Sequence, residues 1–168
     1  SRIVLLKEIK KRYKTPENMV VLSLDVGSVP ISQAYAKRLG MHFALIDKRR
    51  YSPNKAEVRH LIGNLKGKDV LIIDDMIDTA GTTVNAADAA LKHGAKSVSV
   101  VATHAVLSDP ALERIQKTEI KHILVTDTIF ISEEKKLPNM EIVSIADIFG
   151  EAIVRIHKGE SVSALFDF

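Results

Sequence analysis

The apolar positions of this chain fall in short dense runs separated by helix-like spacing. Val70, Leu71, Ile72 and Ile73 are apolar without a break, and Met19–Leu24 and Ser97–Ala102 are nearly so. Such runs predict strands covered on both faces, as in a parallel sheet. His42–Asp47, His122–Thr126 and Glu141–Ile145 read as further strands, and Val58–Ile62 is a short apolar run before Gly63. Between them the spacing turns helical. Ile3, Leu6, Ile9 and Tyr13 share a helix face, Pro30 suits the first turn of a helix reaching Leu39, and Gly40 ends it. A helix is predicted from Val84, stopped by Gly94. Asp109-Pro110 reads as cap and first residue of a helix through Ile115, and Asp147 as the cap of a last helix to about His157, with Gly159 after it. Strand and helix alternate, so the expected class is α/β: a mostly parallel twisted sheet flanked by helices. No repeat or linker divides residues 1–168, so one domain is expected. The tail Ser161–Phe168 carries Leu165, Phe166 and Phe168 and is too apolar to hang free.

The chemistry concentrates in the stretch VLIIDDMIDTAGTT, residues 70–83. Asp74 and Asp75 follow the strand at once. Asp78 comes next, then the small turn Thr79, Ala80, Gly81, Thr82 and Thr83. Backbone N–H groups, threonine hydroxyls and a helix N-terminus make a seat for an anion. The carboxyl end of a strand is where open α/β sheets bind ligands. Carboxylates beside a phosphate seat suit a ligand that also carries hydroxyls, which a sugar phosphate does. Asp, Thr and Gly after a strand also make plain turns and caps, but three acids, two threonines and a glycine in one register favour the ligand.

Size and composition narrow the alternatives. The 168 residues are 46% hydrophobic and 27% charged, ordinary for a folded globular chain. The net charge of +3 is too small and too dispersed to predict a nucleic-acid partner. Without cysteine there is no disulfide framework and no thiolate metal site. No apolar run approaches the length of a membrane span and no signal peptide is visible, so no membrane partner is expected and a cytoplasmic location is. His42, His60, His93, His122 and His157 have no metal-ligand spacing. Residues 63–68 end at Asp69 and precede a strand, so they are a loop and not a nucleotide-binding P-loop. Lys48, Arg49 and Arg50 open a polar, turn-rich segment through Asn54 that is expected to form an exposed, mobile loop.

The stretch DDMIDTAGTT resembles the phosphoribosyl-pyrophosphate-binding motif of type I phosphoribosyltransferases, and more closely that of the ribose-phosphate pyrophosphokinases. The resemblance runs through the terminal RIHKGESVSALF and corresponds to the carboxyl-terminal half of that family, whose full chains hold two such domains. It implies transfer of a diphosphate group from Mg-ATP to ribose 5-phosphate, yielding phosphoribosyl pyrophosphate and AMP. It places the sugar phosphate on Asp74, Asp75, Asp78, Thr79, Ala80, Gly81, Thr82 and Thr83. It makes Asp25, in VVLSLDVGSV, a ligand for Mg²⁺, although Leu24 stands where the family has proline, Ser28 where it has a second glycine, and Ile31, Ser32 and Gln33 where it often has arginines. Lys48 and Arg50 match the family's catalytic loop, Lys48 neutralising charge in the transition state and Arg50 gripping phosphate oxygens. His104, in THAVLSDP, matches a family histidine, with Ala105 and Asp109 departing from the pattern; a loop-structuring or regulatory role is favoured over general base.

The missing half supplies much of the ATP pocket in that family, so the chain alone is expected to be inactive, and Ser1 in place of a starting Met fits a piece of a longer protein. The family implies homo-oligomers. Two other readings stay open: a self-standing phosphoribosyltransferase, and a non-catalytic regulatory homologue that keeps the fold.

Overall fold

The computed structural model describes residues 2–49 and 58–165, with the side chains of 47–49 and 58–60 excepted. Chain order is α1 (Arg2–Arg12), β1 (Met19–Ser23), α2 (Val29–Leu39), β2 (His42–Arg49), β3 (Val58–Ile62), β4 (Asp69–Ile77), α3 (Gly81–Lys92), β5 (Ser97–Ala105), α4 (Ala111–Gln116), β6 (Ile120–Thr126), β7 (Met140–Val143) and α5 (Ala146–Lys158). Among the described residues these strands make one seven-stranded sheet in the order β3-β2-β1-β4-β5-β6-β7. Every neighbouring pair is parallel except β2 with β3.

Strand alternation sends successive side chains to opposite faces, and both faces are covered. Val20, Leu22, Val70, Ile72, Val98 and Val100 pack with Ala86, Ala87, Ala89 and Ala90 of α3. Their neighbours Val21, Leu71, Ile73 and Val101 pack on the other face with Leu5 and Ile9 of α1 and Tyr35, Ala36 and Leu39 of α2. This double burial is why the central strands read as unbroken apolar runs. Each fully buried branched side chain contributes about 1.5–3 kcal/mol relative to an exposed one. The alanines on α3 let that helix lie close against β4 and β5.

Several expected boundaries shift. The run Val58–Ile62 becomes an antiparallel edge strand, and its pairing of Lys48 with Arg59 and Arg49 with Val58 holds Lys48 and Arg49 in β2, not in the loop expected there. Ladder hydrogen bonds outweigh the polar, turn-rich composition. Arg50 and residues 51–54 of that expected loop lie outside the described residues, as do Phe166 and Phe168 of the tail. Pro110 does not occupy the first turn of α4: its carbonyl accepts from Arg114 N–H, which makes it the residue before the helix, and Asp109 gives no cap. Asp147 likewise lies inside the first turn of α5. The caps come from outside the helix: Asp127 Oδ1 accepts from Ile145 N–H at 2.9 Å and Ser144 Oγ from Ala146 N–H at 3.2 Å. The Ser144 hydroxyl and the Ile145 amide hold the Asp127 carboxyl below its usual range.

The turn after β3 is tight. Gly63 has φ +118°, and a Cβ there would lie 2.7 Å from Ala44 Cβ and 3.1 Å from Ala44 Cα, in the middle of β2. Gly63→Ala is therefore expected to lower unfolding stability by roughly 1–3 kcal/mol. Gly150, exposed within α5 with nothing within 4 Å of an added Cβ, gives the opposite sign: Gly150→Ala is expected to raise stability by about 0.5–1 kcal/mol. Urea unfolding of the two variants against the parent checks both.

Candidate functional site

β1 ends sooner than β4. The two are in register only to Leu22 opposite Ile72, whereas β4 stays paired with β5 as far as Ile77 opposite Ala105. The upper half of β4, Ile73–Ile77, thus presents one edge with no strand beside it. Chain leaving β1 turns into α2 on one face of the sheet, and chain leaving β4 turns into α3 on the other. The diverging connections open a crevice at the carboxyl edge, at the point where strand order reverses.

A pocket of about 580 Å³ fills this crevice, lined by Arg2, Asp25, Gly27, Ser28, Asp74 and Asp75 among others. The structure so brings together Asp25, from the connection after β1, with Asp74 and Asp75. Both Asp74 and Asp75 belong to the extended strand and not to the loop after it. Asp74 Oδ1 accepts from Asp75 N–H at 2.9 Å. Burial pushes the Asp74 carboxyl up to about 6; the Asp75 amide opposes this, and the neighbouring carboxylates of Asp75 and Asp25 add to it. Asp25 is exposed, and its Oδ1 accepts from Ser28 N–H at 2.8 Å, holding the entry to α2. Ser28 Oγ lies 2.8 Å from Ser23 Oγ, which donates to Asp25 carbonyl at 2.9 Å, so the turn carrying Asp25 is fixed from below.

The turn beyond β4 is shorter than expected. α3 starts at Gly81, not at Val84, so Gly81, Thr82 and Thr83 form its first turn and only Asp78, Thr79 and Ala80 remain as loop. Ala80, at φ 59°, makes the left-handed bend before the helix and supplies no side-chain cap. The first N–H groups of the helix are left for another partner. Asp78, Thr79 and Thr82 are exposed, while Ala80 and Thr83 point into the core. These loop residues do not line the acidic pocket; they lie further along the same strand edge.

Two residues escaped the sequence reading. Arg2, at the start of α1, reaches the acidic pocket from far away in the chain. Arg114, on α4, donates from Nη1 to the Thr79 carbonyl at 3.0 Å. The guanidinium passes close to Gly81, where a Cβ would sit 3.4 Å from Nη1, an ordinary van der Waals contact. His104 Nδ1 lies 2.9 Å from Thr128 Oγ1, which donates to the Thr103 carbonyl, so this histidine joins a hydroxyl network between β5 and β6. Lys48 is on β2 with its side chain outside the described residues, and Arg50 is wholly outside them.

Among the described residues no group of three or more His, Cys, Asp or Glu side chains is arranged to hold a metal. The crevice instead offers Asp25 and Asp74 from two sides. That suits Mg²⁺, which takes one or two carboxylates and fills the rest of its shell with water and phosphate oxygens.

The raised carboxyl of Asp74 has a thermodynamic consequence. The folded chain holds that proton more tightly than the unfolded chain over the window from about pH 4 to 6. Stability linked to Asp74 is therefore present at low pH and falls as pH rises through the window. Asp74→Asn is expected to stabilise the free chain at pH 7 by about 1 kcal/mol, allowing for solvent screening of a part-exposed group. The gain should vanish below pH 4 in thermal unfolding followed across pH.

The sequence profile of the phosphoribosyl synthetase-associated domain matches residues 49–167. A ribose-phosphate pyrophosphokinase of Caldanaerobacter subterraneus subsp. tengcongensis is 50% identical over 150 residues, 89% of this chain and 48% of that protein. The chain spans about half the length of the curated relatives it matches. Phosphoribosylpyrophosphate synthetase from Mycobacterium smegmatis superposes with a TM-score of 0.85 at 36% identity, over 92% of this chain and 50% of that one. APRTase from Giardia lamblia shares the fold, with a TM-score of 0.55 at 19% identity over 72% of this chain and 75% of that one. The sheet is that of the type I phosphoribosyltransferase fold, and the chain belongs to the family of the phosphoribosyl synthetase-associated domain.

Proposed function

We propose that this chain is the carboxyl-terminal domain of a two-domain ribose-phosphate diphosphokinase, and that it supplies the ribose 5-phosphate site and the catalytic loop. The observation that carries the reading is the juxtaposition at the end of β4: an acid pair of which Asp74 is half-buried, then a three-residue turn, then an uncapped helix N-terminus. A ligand with hydroxyls at one end and a phosphate at the other matches that order. The relatives' names support the same reaction.

In the proposed site the 5-phosphate sits over the first turn of α3, taking N–H groups of Gly81 and Thr82 and the hydroxyls of Thr79 and Thr82. Asp78 stands at the mouth of this seat. Ala80 and Thr83 shape it from the core side, with their side chains turned inward. Asp74 and Asp75 accept from the ribose hydroxyls and so present the anomeric oxygen. That oxygen attacks the β-phosphorus of ATP; the bond to the α-phosphate oxygen breaks and AMP leaves. Lys48 and Arg50 neutralise charge on the transferring group, as phosphoryl transfer requires positioning and charge stabilisation more than covalent catalysis. Mg²⁺ held at Asp25 would supply further neutralisation of phosphate charge. A homo-oligomer is proposed on the exposed apolar side chains Phe149, Ile153 and Ile156 of α5. A cytoplasmic location is proposed from the metabolic relatives; among the described residues no helix is long and apolar enough to cross a membrane.

A second reading has its own observation. Leu24, Ser28, Ile31 and Asp109 depart from the family's pattern, which favours a non-catalytic homologue that keeps the fold for assembly.

Calorimetric titration of the chain with ribose 5-phosphate is expected to show a weak one-to-one complex, with little or no AMP formed when ATP is added. Robust AMP production by the chain alone would overturn the two-domain reading. In the longer protein, Asp74→Asn and Lys48→Ala are each expected to lower kcat/KM by at least about a hundredfold, on the order of one lost charge-stabilising group. An assembly role survives both substitutions unchanged.

A further inference from the structure

Three carbonyls on the way from β4 into α3 are tied back. Ile77 carbonyl accepts from Leu107 N–H at 3.0 Å, Thr79 carbonyl from Arg114 Nη1 at 3.0 Å, and Ala80 carbonyl from Val84 N–H at 2.9 Å. The first-turn N–H groups of Gly81 and Thr82 have no side-chain cap from Ala80. For an anion this ordering matters twice. A carbonyl oxygen facing a phosphate repels it, and an N–H facing it attracts it. Two of the three carbonyls are held by main-chain donors. Only Thr79 depends on a side chain, and that side chain brings a permanent positive charge.

Arg114 is well placed to hold its partner still. Ala111 and Ile115, on either side of it on α4, are buried in the core shared with α3. Its guanidinium lies against Gly81, where a Cβ would be in contact with Nη1 at 3.4 Å. The nearby acid, Glu113, is paired with Lys117, so it does not draw the guanidinium off the loop.

We infer that Arg114 is a positioning residue of the phosphate seat: it turns the Thr79 carbonyl away from the bound phosphate and fixes a positive charge behind the loop. The inference rests on the reading of Asp78–Thr83 as that seat. It is specific to the phosphate end of the ligand, since Arg114 does not line the acidic pocket where the ribose is placed.

The test compares the parent chain with Arg114→Met and Arg114→Lys. Ribose 5-phosphate binding is measured by calorimetry, amide shifts of ¹⁵N-labelled chain are followed with inorganic phosphate, and Tm is recorded. Arg114→Met is expected to weaken ribose 5-phosphate about tenfold, the order of one lost charge-assisted hydrogen bond. Gly81 and Thr82 amides should respond to inorganic phosphate in the parent and no longer in the Met variant. Arg114→Lys should recover most of the affinity, and Tm should move by no more than about 2 °C, as for exposed substitutions. Unchanged affinity in Arg114→Met would overturn the inference while leaving the seat intact. Lost affinity that follows a fall in Tm, and that Lys does not recover, would reduce Arg114 to a structural role and overturn it too. A parent chain that binds no ribose 5-phosphate would overturn the seat itself.

Discussion

The constraint behind this site is a mismatch in strand length. β1 stops pairing at Leu22 while β4 runs on beside β5 to Ile77. The overhang gives β4 a bare edge, and the two helices that follow β1 and β4 leave on opposite faces of the sheet. Everything that could act on a ligand follows from that arrangement. Asp74 projects into a crevice where it is partly stripped of water, and Asp25 lines the same crevice from the turn after the shorter strand. Two acids close together with one half-buried is an unfavourable arrangement for the free chain. It becomes favourable once hydroxyls or a cation enter. The site is unstable for the same reason that it is able to bind.

Strain accumulates around the loop and is held by its surroundings. Ala80 and Leu107 are the non-glycine residues with positive φ among the described residues, at 59° and 52°. Each such residue costs on the order of 1–3 kcal/mol unless neighbours fix it. Both are buried, Leu107 to 1% exposure. Leu107 N–H reaches back to the last residue of β4, and Lys135 Nζ donates to the Leu107 carbonyl at 3.0 Å. The connection after β5 therefore braces the connection after β4, and Arg114 braces it from the other side. The loop between β4 and α3 is thus held by two neighbouring segments, the connection after β5 and α4.

Much of this was legible in the sequence, for identifiable reasons. Strands buried on both faces cannot alternate, so Val70–Ile73 announced a central parallel strand, and the alternation of strands with helices gave the layered α/β class. The acids after that run marked the carboxyl edge. What escaped was set by partners distant in sequence. Asp74, Asp75 and Met76 do not look like a strand, yet the ladder to β5 keeps them in one. Gly81 looked like a turn glycine, but the bend falls on Ala80 and the glycine opens α3, while the loop is held by Arg114, 35 residues beyond Thr79. The caps of α5 lie on Ser144 and on Asp127 in the segment after β6, where local rules pointed to Asp147. The edge strand β3 was hidden because its stability comes from pairing with β2.

The central claim is that the crevice beside the β4 overhang and the first turn of α3 hold one phosphorylated pentose between them. The most direct measurement is a ¹⁵N–¹H titration of the chain with ribose 5-phosphate. The account predicts saturable shifts that fall together, with a single affinity, on the amides of Asp74, Asp75 and Thr79 to Thr82, and that leave the far edge of the sheet at Met19 and Ser97 unmoved. Shifts confined to that far edge, or to α5, with the β4 overhang silent, would contradict it.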